Sequence, residues 1–252
     1  PHQFHEGLYQ EIFIYSPYLE ISSMNKSSNN LLFLKNSEFS EGIQKKKNKV
    51  FSKRDIRLII HGSKNGFVHP IMDIIINQVQ KRRGKLVELE VLTENSYQTS
   101  SSKFIWLVPL FLLPGNHVRI DVPLIRNRLK NELINSKLTP YIGSWNNWIH
   151  ILVEMIKVEK KSVTPVLLHH PLRSKIASDY MLFLGNRLGI QTASWTEWDK
   201  FLEKPSMNYS PIPYTLLPTE KTKSLNRKDS ISSLLEIKSF RNGLINLLSE
   251  LP

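Results

Sequence analysis

The chain has 252 residues, and 34 Lys and Arg stand against 22 Asp and Glu for a formal net charge of +12. That length holds one large domain or two small ones, and the charge favours anionic partners: nucleic acid, anionic lipid, or a polycarboxylate or phosphate ligand. Cysteine is absent, which excludes disulfides, thiolate zinc sites and iron–sulfur clusters and suits a reducing compartment.

No apolar run reaches the roughly 18–20 residues of a bilayer span; the longest, Phe104 to Pro114, is strand-length. The N-terminus lacks the charged, apolar, small-residue order of a signal peptide. With no initiator Met, the chain is expected to be a fragment or a processed form of a soluble intracellular protein.

In chain order, residues 1–53 read as a poorly ordered leader. A short aromatic segment, "LYQEIFIYSPYLEI", gives way to "SSMNKSSNN" and the basic "KKKNKVFSKR". "IRLII" (56–60) is a β-branched run suited to a strand buried on both faces. "IMDIIINQVQKRRG" (71–84) has helical spacing and closes on a basic turn and Gly. "LVELEVL" (86–92) and "KFIWLVPLFLL" (103–113) read as strands. "DVPLIRNRLKNELINS" (121–136) reads as a helix with Asp121 as N-cap, worth about 1 kcal/mol, and Pro123 in its first turn. "WNNWIHILVEMIKVEKK" (145–161) is a further helix. Strands alternating with helices predict a parallel sheet covered on both faces.

From residue 164 the pattern restarts. "TPVLLHHPLRS" places His169 after an apolar strand as "RLIIHGSK" places His61, and a helix follows in both. "PYTLLP" (213–218) then matches "PLFLLP" (109–114) at four of six positions, and first histidine to last proline spans 49 residues against 53. A duplicated α/β unit follows: the fold class is α/β, two similar units each with a short parallel sheet flanked by helices, and a cleft between them. The expected domains are 54–161 and 162–252. After "LLP" the first copy reads Gly115, Asn116, His117 and the second Thr219, Glu220, Lys221, so a two-histidine site belongs to the first half.

His61 and His117 each follow the C-terminal end of a predicted parallel strand, where ligands of open α/β sheets bind. Neighbouring strands lie about 4.8 Å apart, so the two imidazoles can converge on one ion, and imidazole suits Fe²⁺, Co²⁺, Ni²⁺ or Zn²⁺. Gly62 and Gly115 beside them permit close backbone approach. The plainer reading is that each histidine caps a loop. Trp145, Trp148, Trp195 and Trp198 form two pairs spaced by three residues, suited to core packing or, more sharply, to stacking on a flat ligand. His169 and His170 are a second metal or substrate contact or an inert remnant; His69 and His150 are expected to pack or face solvent.

"LIIHGSK" followed by a helix, then "VPLFLLPGNHVRIDVP", resembles the sirohydrochlorin chelatases, the class II cobalto- and ferrochelatases. "PYIGSW" with its helix is similar to the family's closing turn and last helix. The likeness covers residues 56 to about 156, and residues 163–252 look like the diverged second copy of long members. It implies a lyase that inserts Fe²⁺ or Co²⁺ into sirohydrochlorin on the way to sirohaem or cobalamin. His61 and His117 would bind the incoming metal and accept pyrrole protons, and Glu94 is the candidate third metal ligand. Ser63, Lys64, Arg119 and Arg126 would meet the substrate's eight carboxylates. Asp121 could also orient His117. No organic cofactor, nucleic acid or membrane is implied. The expected state is a monomer or homodimer in the cytoplasm, or in the plastid stroma if organellar.

Two departures favour the alternative of a non-catalytic tetrapyrrole- or metal-binding relative. Direct alignment puts Thr93 where the family commonly has a Glu, leaving Glu94 one residue out of register. Only "NSYQTSSS" stands where the family has a crossover helix, a connection that needs about a dozen residues. A nucleic-acid binder is motivated by charge alone, with no motif behind it.

Overall fold

The computed structural model describes residues 53–62, 66–93, 102–159, 163–203, 208–220, 222 and 232–252. The expected leader therefore lies outside the described residues, but for Lys53. Residues Phe51–Pro252 form one compact unit built on two parallel sheets.

The first sheet has the order β2-β1-β3-β4, from β1 (Asp55–Ile60), β2 (Val87–Val91), β3 (Phe104–Pro109) and β4 (Asn135–Leu138). Ile60 pairs with Val91, Ile59 with Pro109 and Leu107 with Leu138. Helix α1 (Ile71–Arg83) links β1 to β2. A five-residue π-turn (His117–Asp121) runs into α2 (Val122–Asn131), and α3 (Asn146–Glu159) closes the unit. The second sheet, β6-β5-β7, is built from β5 (Thr164–His169), β6 (Gln191–Ser194) and β7 (Tyr209–Pro213). Helices α4 (Lys175–Leu188), α5 (Trp198–Leu202) and α6 (Lys238–Glu250) accompany it.

Alternation along the strands decides the layers. Ile56, Leu58 and Ile60 of β1 pack with Met72, Ile75 and Val79 of α1, Trp148 and Leu152 of α3, and Phe240 and Leu244 of α6. Leu167 and Ile212 of the second sheet join that same core, so a shared layer of helices is buried between the sheets. On the far face of the first sheet, Ile59, Ile105 and Leu107 meet Val122, Ile125 and Leu129 of α2. On the far face of the second, Val166 and Leu168 meet Trp198.

Three expectations need correction. The helix expected over 121–136 stops at Asn131: Leu133 takes a positive φ of 59°, and Asn135–Leu138, weakly apolar as they are, add a fourth strand beside β3. The connection between β2 and β3 is not too short for a crossover. Both strands are shorter than their apolar patterns, which leaves residues 92–103, about the dozen a parallel connection needs, and both lie parallel to β1. Finally, the internal repeat is offset by one residue. Leu168 pairs with Pro213 as Ile59 pairs with Pro109, and the Trp195 N–H bonds the His169 carbonyl as that of Leu92 bonds Ile60. His170, not His169, therefore stands in the place of His61; His169 is the buried last residue of β5.

The halves are tied by a polar clasp. The Tyr180 hydroxyl donates to the Gly143 carbonyl at 2.6 Å and lies 2.9 Å from the Tyr214 hydroxyl. Burial pushes the Tyr180 phenol up to about 12 and that of Tyr214 well above its ordinary value, with the neighbouring Tyr180 adding to the latter. An unfolded tyrosine ionises near pH 10, so above that pH the unfolded chain loses protons that the folded clasp retains, and stability falls. We expect stability to be flat from neutral pH to about pH 9.5 and to decline between about 10 and 12. Urea titrations across that window check this, and Tyr214→Phe should flatten the decline.

Candidate metal centre

His61 is the first residue beyond β1, and the chain turns away from the sheet directly after it. Gly62 has φ +75°, and a Cβ there would meet Val91 Cγ1 at 2.3 Å and Thr93 Oγ1 at 2.5 Å. Only glycine allows this backbone to press against the end of β2, and the turn leaves the His61 ring exposed at the lip of the sheet.

His117 arrives from the neighbouring strand. After β3 the chain runs through Phe111 and Leu112 before entering the π-turn, a geometry found often at functional sites. The Gly143 N–H donates to the Phe111 carbonyl at 3.0 Å, and a Cβ on Gly143 would sit 2.0 Å from the Leu112 carbonyl oxygen. Gly143→Ala must therefore push back the segment that delivers His117. We expect a loss of roughly 1–3 kcal/mol, read as a lower urea midpoint, together with weakened metal binding.

The result is a pair of imidazoles with ring centroids 4.5 Å apart and planes at 73°. The Phe111 ring lies stacked against His117 at 5.7 Å. His61 Nδ1 lies 2.8 Å from the Gly62 carbonyl oxygen, and His117 Nδ1 lies 2.6 Å from Asp121 Oδ2. A carbonyl and a carboxylate only accept, so each Nδ1 is placed to donate, and Nε2 is the ring nitrogen left to face a ligand. Both side chains of the His117–Asp121 pair are partly open, at 41% and 38% exposure, so an incoming ion can reach them.

Asp121 is thus not the cap expected of it. Its backbone is already helical and its side chain makes no capping bond, because the π-turn begins the helix at His117 and carries Asp121 into its first turn. The carboxylate instead faces the histidine four residues earlier. That pairing was legible in the spacing His-x-x-x-Asp, which puts both residues on one helical face. The stacked Phe111 was not anticipated.

The structure brings His61, His117, Asp121 and Phe111 together. Arg119 and Arg126 lie exposed on the π-turn and α2, two and nine residues beyond His117 and so off the face it shares with Asp121. Ser63, Lys64 and Glu94 lie outside the described residues. Among the described residues, no group of three or more His, Asp or Glu could hold a metal ion. His69 accepts the Ile71 N–H at the start of α1, and His150 is exposed on α3. The tryptophans are packing residues. Trp148 is fully buried edge-on to Phe240, Trp198 is buried in the second sheet's cluster with Trp195 packed half-buried against it, and Trp145 precedes α3 and donates to the Pro140 carbonyl.

Comparison with known proteins places this geometry. Residues 55–159 match the CbiX family, the stretch that carries both histidines. The sequence matches no curated protein. Among solved structures, the chain is similar to the sirohydrochlorin chelatase SirB from Bacillus subtilis subspecies spizizenii in complex with cobalt. The two share 17% identity and a TM-score of 0.51 over 79% of this chain and 94% of that one. SirB from Bacillus subtilis with Fe³⁺ gives 16% identity and a TM-score of 0.55, over 77% and 93%. CbiX, described as the terminal enzyme for biosynthesis of sirohaem in denitrifying bacteria, gives 14% and 0.52, over 79% and 100%. The chelatase-like α/β fold therefore spans both halves of the chain. Among the described residues, no helix is long and apolar enough to cross a membrane.

Proposed function

We propose that the protein inserts Fe²⁺ or Co²⁺ into sirohydrochlorin, a reading supported by the match of residues 55–159 to the CbiX family and by the chelatase-like fold. The observation that carries this reading is the imidazole pair, 4.5 Å apart at adjacent strand ends, with each Nδ1 already engaged. Insertion replaces two pyrrole N–H bonds by metal–nitrogen bonds and releases two protons. The site needs a loose metal hold and a base at one place, and a neutral imidazole Nε2 serves as either. Asp121 offsets the positive charge that builds at His117 when its ring takes a metal or a proton. An open, two-imidazole site suits an ion that must leave for the macrocycle.

The basic chain supplies a field that attracts a polycarboxylate. Lys64, Arg119 and Arg126, with Ser63, are proposed to hold substrate carboxylates, and Glu94 to complete the metal's ligands. Relatives solved with cobalt and with iron support either metal as substrate. The second reading, a non-catalytic relative that binds tetrapyrrole or metal, is favoured by the absence of a third ligand among the described residues.

Anaerobic incubation with sirohydrochlorin and Fe²⁺ or Co²⁺, followed by absorbance, separates the two. Insertion well above that of a His61→Ala, His117→Ala double variant is the expected result. Bound tetrapyrrole with no acceleration would favour the second reading, and no binding at all would overturn both.

A further inference from the structure

At the opposite end of the first sheet, the starts of the strands line an open recess. A cavity of about 270 Å³ is bounded by Lys53, Arg54 and Asp55 at the start of β1, Lys85 ahead of β2, and Lys103 and Phe104 at the start of β3. It lies about 20 Å, the length of β1, from His61. Four cations face a single carboxylate there. That carboxylate is already committed to the fold: Asp55 Oδ1 accepts the Leu86 N–H at 2.9 Å, and Oδ2 accepts the Ser102 hydroxyl.

Each cation has a different standing. The Arg54 guanidinium lies 5.9 Å from the centroids of both Phe104 and Trp106, so it is held by ring faces rather than by an acid. Lys53 donates to the Ser249 carbonyl. The Lys85 and Lys103 ammonium groups make no hydrogen bond or ion pair with any described residue. Phe104, 55% exposed, provides an apolar wall. Like charges gathered round one concavity repel each other and destabilise the chain unless an anion offsets them. Ammonium groups are strongly hydrated point charges that suit phosphate or carboxylate oxygens.

We propose that this cavity is a binding site for a small polyanion carrying two or more phosphate or carboxylate groups, separate from the histidine centre and independent of the chelatase reading. A concave recess with four cations around it, rather than a basic stripe along a surface, favours a small ligand over a nucleic acid.

Titration calorimetry on the full chain tests this with pyrophosphate and tricarballylate as probes, at low and at moderate salt. At least one probe should bind, and Lys85→Ala with Lys103→Ala should weaken it roughly tenfold or more. His61→Ala with His117→Ala should leave it unchanged. The tighter probe identifies phosphate or carboxylate as the natural chemistry. Binding that ignores the two lysines, binding that is lost with the histidines, or no binding of either probe overturns the proposal. So does displacement of the probe by a single-stranded oligonucleotide whose affinity falls steeply with salt.

Discussion

Alanine in place of His117 is expected to slow metal insertion into sirohydrochlorin by a factor of roughly 10²–10⁴, with the fold intact. The ring is 41% exposed and carries none of the core, so the thermal midpoint should move little while the rate collapses. His61→Ala should cost about as much. The double variant should be little worse than either single one, because two groups converging on one ion act as a unit. Asp121→Asn separates orientation from charge. The amide oxygen can still accept from His117 Nδ1, but the carboxylate charge is gone, and a loss of roughly 10–100-fold is expected. The loss should appear in turnover and metal affinity, with the KM for tetrapyrrole unchanged. A double variant that inserts metal as fast as the unaltered chain would sink the assignment of the centre. An Asp121→Asn enzyme at full rate would reduce that carboxylate to a surface group.

What the sequence shows of this centre and what it conceals have separate causes. Both histidines were legible because apolar runs mark buried parallel strands and a polar residue directly after such a run stands at the sheet's edge. Their 4.5 Å approach was not, since it depends on β1 and β3 being neighbours, and strand order leaves no local trace. The π-turn was hidden by Asp121 and Pro123, which together imitate a helix start at the wrong residue. The strand at Asn135–Leu138 was hidden by composition, because an edge strand packed on one side needs little apolar content. The repeat was visible, but its register was not. Two adjacent histidines, His169 and His170, fit the pattern equally well until hydrogen bonds chose between them.

Arg57→Met is expected to destabilise the fold by about 3–5 kcal/mol, a large fraction of the 5–15 kcal/mol that holds a typical domain together. Arg57 sits in the middle of β1 and is fully buried. Its guanidinium bonds Glu88 at 2.9 Å and Glu90 at 3.0 Å from β2. Arg128 of α2 reaches Glu90 from the other side with contacts of 2.7 and 2.9 Å. This explains why β2 reads "VELEV" rather than as a continuous apolar run: one of its faces is ionic. Beside the apolar patch that Ile59 shares with α2, this face of β1 and β2 therefore presents charge to charge among the described residues. Removing the arginine leaves two carboxylates in low dielectric without their shared guanidinium, whereas removing all three leaves behind Arg128, which is partly exposed and keeps Glu132 at 3.6 Å. Arg57→Met combined with Glu88→Gln and Glu90→Leu should therefore recover most of the loss, since apolar groups often replace a buried ion cluster at little cost. Urea unfolding of the single and triple variants decides it. A single variant within 1 kcal/mol of the parent would mean that water reaches these carboxylates and that the ionic face is a solvated surface rather than part of the buried structure.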